Sequence, residues 1–244
     1  MLYYAKIEAL RMLRNRRYII FVVLFPVVFY LINANIYGTQ TDSAGVRMST
    51  YLLVSMATYG ALASSMMSSA VPWAQERQSG WLRQLQITPL PSWAIIATKI
   101  GAAMVLVLPS LLLVSLTAVL QQGVSMPAGQ WVALLLSLWV GAIPFIALGL
   151  FIGSLLSADA AQPAAMICMF TLSLLGGLWF PIDAIGGTMR TIAGFMPSYH
   201  YASLGWNVIA GHGVPMSDAL IVVAWGIVLG GAAAYAYRRA TVRA

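Results

Sequence analysis

The chain has 244 residues, 61% of them hydrophobic and 8% charged, where a soluble domain carries about 25% charged residues. No soluble core of this size absorbs so much apolar surface, so the composition describes a polytopic, all-α membrane protein. The net charge of +7 does not indicate nucleic acid, because the cations sit at the ends of apolar runs, where they orient a membrane protein.

Residues 1–17 read as an interfacial helix. Leu2, Ala5, Ala9, Met12 and Leu13 fall on one side and Lys6, Arg14 and Arg17 on another, although Ile7 and Leu10 break the pattern. Six apolar runs follow, at 18–37, 50–72, 94–120, 131–156, 162–180 and 219–237. Each is about 20 residues or longer, enough to cross about 30 Å of hydrocarbon as a helix. The first is read as a retained span, since its basic start is long and no small-x-small cleavage site follows it. Pro26, Pro109 and Pro144 lie inside spans, where helices in bilayers tolerate kinks. The whole chain is one transmembrane domain.

Placing the N-terminus inside puts Lys6, Arg11, Arg14, Arg16, Arg17, Arg77, Arg83, Lys99, Arg238, Arg239 and Arg243 in the cytoplasm, against Arg47 and Arg190 outside. That bias makes both termini cytoplasmic. The connection from Pro181 to Asp218 then lies outside. It carries Ile192, Phe195, Met196, Tyr199, Tyr201, Leu204 and Trp206, so it should be partly buried, re-entrant or anchored in the interface.

Between Arg47 and Asp159 the charged residues are Glu76, Arg77, Arg83 and Lys99. All lie in the stretch from Trp73 to Lys99. As a helix, Trp73, Trp81, Leu82, Leu85 and Ile87 are available to face lipid or protein. Glu76, Arg77, Gln78, Arg83, Gln84 and Gln86 are available for a polar partner. Gly80 interrupts this helix, and Pro89 and Pro91 end it. The stretch reads either as a knob for a cytosolic partner or as an amphipathic loop anchoring two spans. Lys99 sits where it can snorkel to the interface.

Several chemistries are missing. The spans hold no acidic residue, where ion-coupled carriers usually need an ionisable group. No nucleophile–base pair or carboxylate pair lies at membrane depth. His200 and His212 both fall in the outer connection and read as surface or interface residues. The lone Cys168 reads as a packing residue and excludes an internal disulfide. The pattern G-x-x-x-x-G-K-[ST] is absent, so the chain does not bind ATP by that route. Gly149/Gly153, Gly226/Gly230 and Gly60/Ser64/Ser68 match small-xxx-small spacing for close helix approach.

Glu76-Arg77-x-x-Gly80, Leu85, Thr88-Pro89-Leu90-Pro91 and Lys99 resemble the cytoplasmic loop of ABC-2 type exporter permeases. Leu148 to Gly153, Gly176 to Pro181, Met196-Pro197 and Tyr201 resemble that family's last third. The resemblance covers nearly the whole chain. It implies a coupling helix between spans 2 and 3, with Glu76, Arg77, Gly80, Arg83 and Leu85 contacting a separate ABC-type ATPase subunit. It also implies short re-entrant helices between spans 5 and 6, and a second permease chain as homodimer or heterodimer partner. ATP and Mg would sit on the ATPase, with no cofactor in this chain and no nucleic acid partner. The place implied is the bacterial inner membrane, and the cargo a drug, antibiotic or lipid, with polysaccharide, sodium and peptide exporters of the family as alternatives. Asn33, Asn35 and Tyr59 are candidates to line the path. The alternatives are a secondary carrier with 3+3 repeats and a membrane scaffold that needs no ATPase.

Overall fold

One long helix organises the others. The computed structural model describes residues 19–41, 45–80, 92–180 and 187–242. The described residues are helical throughout, apart from connections and one isolated bridge between Thr41 and Arg47. In chain order the helices are α1 (Phe25–Tyr37, entered through a π-turn at Ile19–Leu24), α2 (Met48–Gln78), α3 (Ser92–Gln122), α4 (Ala128–Val140), α5 (Ile143–Leu155), α6 (Ala158–Leu175), α7 (Gly187–Ala193), α8 (Pro197–Ile209) and α9 (Met216–Val242). The expected interfacial helix at 1–17 lies outside the described residues.

Helix α2 runs 31 residues, about 46 Å at 1.5 Å per residue. It is buried on every side from Leu52 to Ala70, enclosed by α1, α3, α5, α6 and α8. Its sequence explains this position. Serine and alanine are its commonest residues, joined by Gly60, so neighbouring backbones approach closely. Its serine hydroxyls find carbonyls nearby: Ser65 donates to Ala61 O, Ser69 to Ser65 O, and Ser64 across to Leu106 O at 2.7 Å.

Among the described residues, four helical stretches are long and apolar enough to cross a membrane: Ile95–Gln122, Ala128–Leu155, Ala158–Leu175 and Met216–Tyr237. Val22–Tyr37 is apolar but shorter. Helix α2 has the length, but its serines lower its hydropathy, and a helix enclosed by protein needs no lipid-soluble surface. Of the six expected spans, four therefore meet both criteria. The fourth is interrupted: α4 and α5 meet at a turn over Gly141–Ala142, and Pro144 opens α5.

Proline also shapes the entry to α1. Pro26 has no N–H, so the carbonyl four residues earlier, Val22 O, loses its helical donor. Ser110 Oγ from α3 supplies one at 3.1 Å. Gly60 of α2 lies directly against Ser110 and Pro26, where a Cβ would collide with the Ser110 hydroxyl. The Gly60 spacing noted in the sequence thus serves packing within the chain.

A ring cluster joins α1, α2, α6 and the turn after α6. Phe25, Phe29, Tyr59, Phe170 and Trp179 sit with centroids 5.3–6.4 Å apart, in the tilted and edge-on geometries aromatic pairs favour. Trp179 Nε1 donates to Ser173 Oγ at 2.8 Å.

Candidate functional site

The last turns of α2 are where the polar stretch begins. Trp73 does not face outward. It is 2% exposed, its Nε1 donates to Ser154 Oγ of α5 at 2.8 Å, and its ring lies 5.5 Å from that of Tyr237 on α9. Ile95 of α3, Leu150 of α5 and Ala233 of α9 complete an apolar cluster around it. Four helices are therefore pinned together at the Gln78 end of α2.

One turn further on, the charges are used within the chain. Glu76 accepts from Lys99 Nζ of α3, and both side chains are largely shielded, at 16% and 10% exposure. Arg77 Nη2 donates to Leu156 O at 2.6 Å. Leu156 caps the C-terminus of α5, the negative end of that helix's dipole, so the guanidinium is favoured there twice over. Gln78 Oε1 accepts from Ala158 N, in the first turn of α6, at 3.2 Å. Ser157 caps α6, accepting from Ala160 N, and Asp159 lies in its first turn.

Helix α2 stops at Ser79–Gly80. Gly80 has φ +73°, a left-handed value that favours glycine. At Gly80 the chain therefore leaves the helical path. Arg83 and Leu85 lie in residues 81–91, outside the described residues. Of the five residues singled out in the sequence, Glu76, Arg77 and Gly80 come together at the helix end. The polar stretch does not begin as a separate surface helix: to Gln78 it is the continuation of α2. Glu76 and Arg77 turn toward Lys99 and Leu156 rather than away from the bundle. Lys99 is half of an ion pair rather than a solitary snorkelling cation. The i-to-i+23 separation of the pair left no periodic signal in the sequence, and neither did the tie from Arg77 to a backbone carbonyl.

The small-residue spacings differ in outcome. Gly149 and Gly153 of α5 press on α2, where a Cβ would strike Ser69 Oγ at the first and the Ala70 carbonyl at the second. A Cβ at Gly230 would meet nothing, and at Gly226 only Pro144 Cγ at 3.4 Å. The close approach is thus α2 on α5.

At the opposite end, the 187–209 stretch forms α7 and α8, and α8 packs against α2, α4, α6 and α9. Tyr201 and Leu204 are buried, while Ile192 and Phe195 remain exposed. Tyr201 Oη donates to Leu138 O and Ser198 Oγ to Leu172 O. Trp206 stacks on Tyr51 at 5.0 Å and 7°. His212 is exposed, but His200 is buried and hydrogen-bonded to Asp218, which corrects its reading as a surface residue. Its partner is 18 residues away, across a helix and a loop. Of the path candidates, Tyr59 is enclosed in the ring cluster. Asn33 Nδ2 donates to Phe29 O, and exposed Asn35 donates to Leu31 O and accepts from Gln122 Nε2.

The end of α2 is thus tied to four neighbouring helices, α3, α5, α6 and α9. Residues 42–236 match the family described as "ABC-2 family transporter protein". The chain is also similar to the Bacillus subtilis (strain 168) protein named "Putative transport permease YvfS", with 27% identity over 220 residues, 89% of each chain. With four-fifths of its length matched, the chain belongs to the ABC-2 transporter family, as a multi-pass transmembrane permease.

Proposed function

We propose that this permease is the membrane subunit of an ATP-driven exporter, powered by a separate ABC-type ATPase. The segment 79–91 is the docking element, with Arg83 and Leu85 in contact with the ATPase. The ATPase pair closes on binding ATP and Mg, and the segment passes that motion to α2. The observation that carries this reading is the stitched end of α2: Trp73, Glu76, Arg77 and Gln78 reach α9, α3, α5 and the start of α6. A push on residues 79–91 therefore enters several helices together instead of bending one. Glu76 and Arg77 anchor the docking element, and Gly80 sets its direction.

On this reading all six apolar runs cross the bilayer, both termini and the docking segment are cytoplasmic, and the α7–α8 end is outside. Lys and Arg placement supports that orientation. The membrane is the bacterial inner membrane, and two permease chains pair around the path. The cargo is hydrophobic or amphipathic, a drug, antibiotic or lipid, in keeping with spans that carry almost no charge.

Affinity purification of the full chain from its native membrane tests the reading. An ATPase subunit with a P-loop should co-purify, and ATP turnover should depend on it. Recovery of the chain without any such subunit, under conditions that keep it folded, would overturn it.

A further inference from the structure

A partly buried proton-bearing cluster joins α8 to the first turn of α9, and the transport reading leaves it without a role. His200 Nε2 lies 2.9 Å from Gly194 O, and Nδ1 lies 2.7 Å from Asp218 Oδ1. Asp218 Oδ2 accepts from Ser203 Oγ at 2.6 Å, and Ser203 Oγ accepts from Asn207 Nδ2 at 3.0 Å. A backbone carbonyl only accepts, so Nε2 must carry a hydrogen. Asp218 sits in the first turn of α9, where the helix dipole favours a carboxylate, and Ser203 donates to it. The carboxylate is then an acceptor, and Nδ1 must carry a hydrogen too. Both contacts are satisfied together only while His200 is an imidazolium.

We propose that His200 and Asp218 form a proton-held latch between α8 and α9, closed when His200 carries its second proton and released when it loses it. A neutral imidazole has one N–H. It must turn a bare nitrogen toward either the Gly194 carbonyl or the Asp218 carboxylate, and lone pairs repel. One contact is lost, and with it the tie from the α7–α8 turn through the ring to α9. The latch is closed with the imidazolium, which donates at both ring nitrogens, and open with the neutral ring. Few other groups can take over its role. Tyr199 lies edge-on to the ring at 5.4 Å. Arg47, Arg190 and His212 are exposed at this end, α4 and α6 bring no charge against α8, and Tyr51 of α2 is stacked on Trp206. Asp42 and Asp183 lie outside the described residues.

The latch stands on geometry alone. The transport reading adds only that it faces outside, where external pH would govern how freely α8 moves at the exit.

The chain contains two histidines, so its ring nitrogens can be followed directly by ¹⁵N-histidine labelling of the full chain in lipid nanodiscs, with His212→Gln assigning the signals. Spin labels at Phe195→Cys and Leu220→Cys, both exposed positions, in a Cys168→Ala background would report the separation of the latch's two sides. The expected result is dipolar broadening that falls reversibly as pH rises, with the midpoint of the His200 ring titration. Asp218→Asn should remove the pH dependence, while Ser203→Ala should keep it. Broadening that ignores pH, or that follows pH equally in the Asp218→Asn chain, would overturn the latch. Neither result depends on an ATPase partner, so failure here is separate from failure of the transport reading.

Discussion

Replacing Gly153 by alanine tests the joint between α2 and α5. The new Cβ would collide with the Ala70 carbonyl and come within 3.2 Å of Ala74 N. Both obstacles are backbone, so no side-chain rotation relieves them, and the helices must separate. Overpacking of this kind costs about 1–3 kcal/mol. Separation also pulls on Trp73–Ser154 and Arg77–Leu156, which lie within one turn of Gly153, at roughly 1 kcal/mol for each hydrogen bond. Alanine returns about 1 kcal/mol of helix propensity. The net destabilisation is about 2–4 kcal/mol, or roughly 4–16 °C in Tm for a chain of this length. Gly230→Ala is the control: nothing lies within 4 Å of its Cβ, so the same chemical change should leave Tm equal or higher. Thermal unfolding in one detergent, followed by tryptophan fluorescence, reads both. If Gly153→Ala proves as stable as Gly230→Ala, α2 and α5 are not in the contact described.

Two other substitutions probe the same framework. A double-mutant cycle with Glu76→Gln and Lys99→Met should give a coupling energy of about 1–3 kcal/mol, between surface and buried pairs, and a value near zero would mean the pair does not join α2 to α3. Ser110→Ala removes the donor to Val22 O, leaving a buried carbonyl unpaired at a cost of about 1–3 kcal/mol, and should lower Tm more than Thr117→Ala, whose hydroxyl bonds within its own helix at an exposed site.

Much of the fold can be read from local pattern. Each apolar run overlaps described helix, because a lipid-facing helix must be apolar over its own length, but α2 continues to Gln78 and the run at 131–156 is broken at Gly141–Ala142. Prolines 26 and 144 mark the irregular entries to α1 and α5. The polar stretch stands out because charge is rare here. What escapes sequence reading is pairing between distant residues. Glu76 with Lys99, Arg77 with Leu156 and His200 with Asp218 are set by which helices become neighbours, and no spacing within one element encodes that. The full enclosure of α2 is hinted at only by its serines, its alanines and Gly60. Trp73 shows the limit of a single-helix view: the sequence leaves it available to face lipid or protein, and only the neighbouring α5 and α9 decide for protein.

We propose above that an ATPase docks on residues 81–91, which follow Gly80. A photo-crosslinking residue at Arg83 or Leu85, with a control at exposed Val214 at the other end of the bundle, tests it most directly in membranes holding the assembled complex. The account predicts an adduct with the ATPase subunit from positions 83 and 85 and none from 214. An ATPase that co-purifies yet crosslinks only from 214, or from none of these positions, would contradict it.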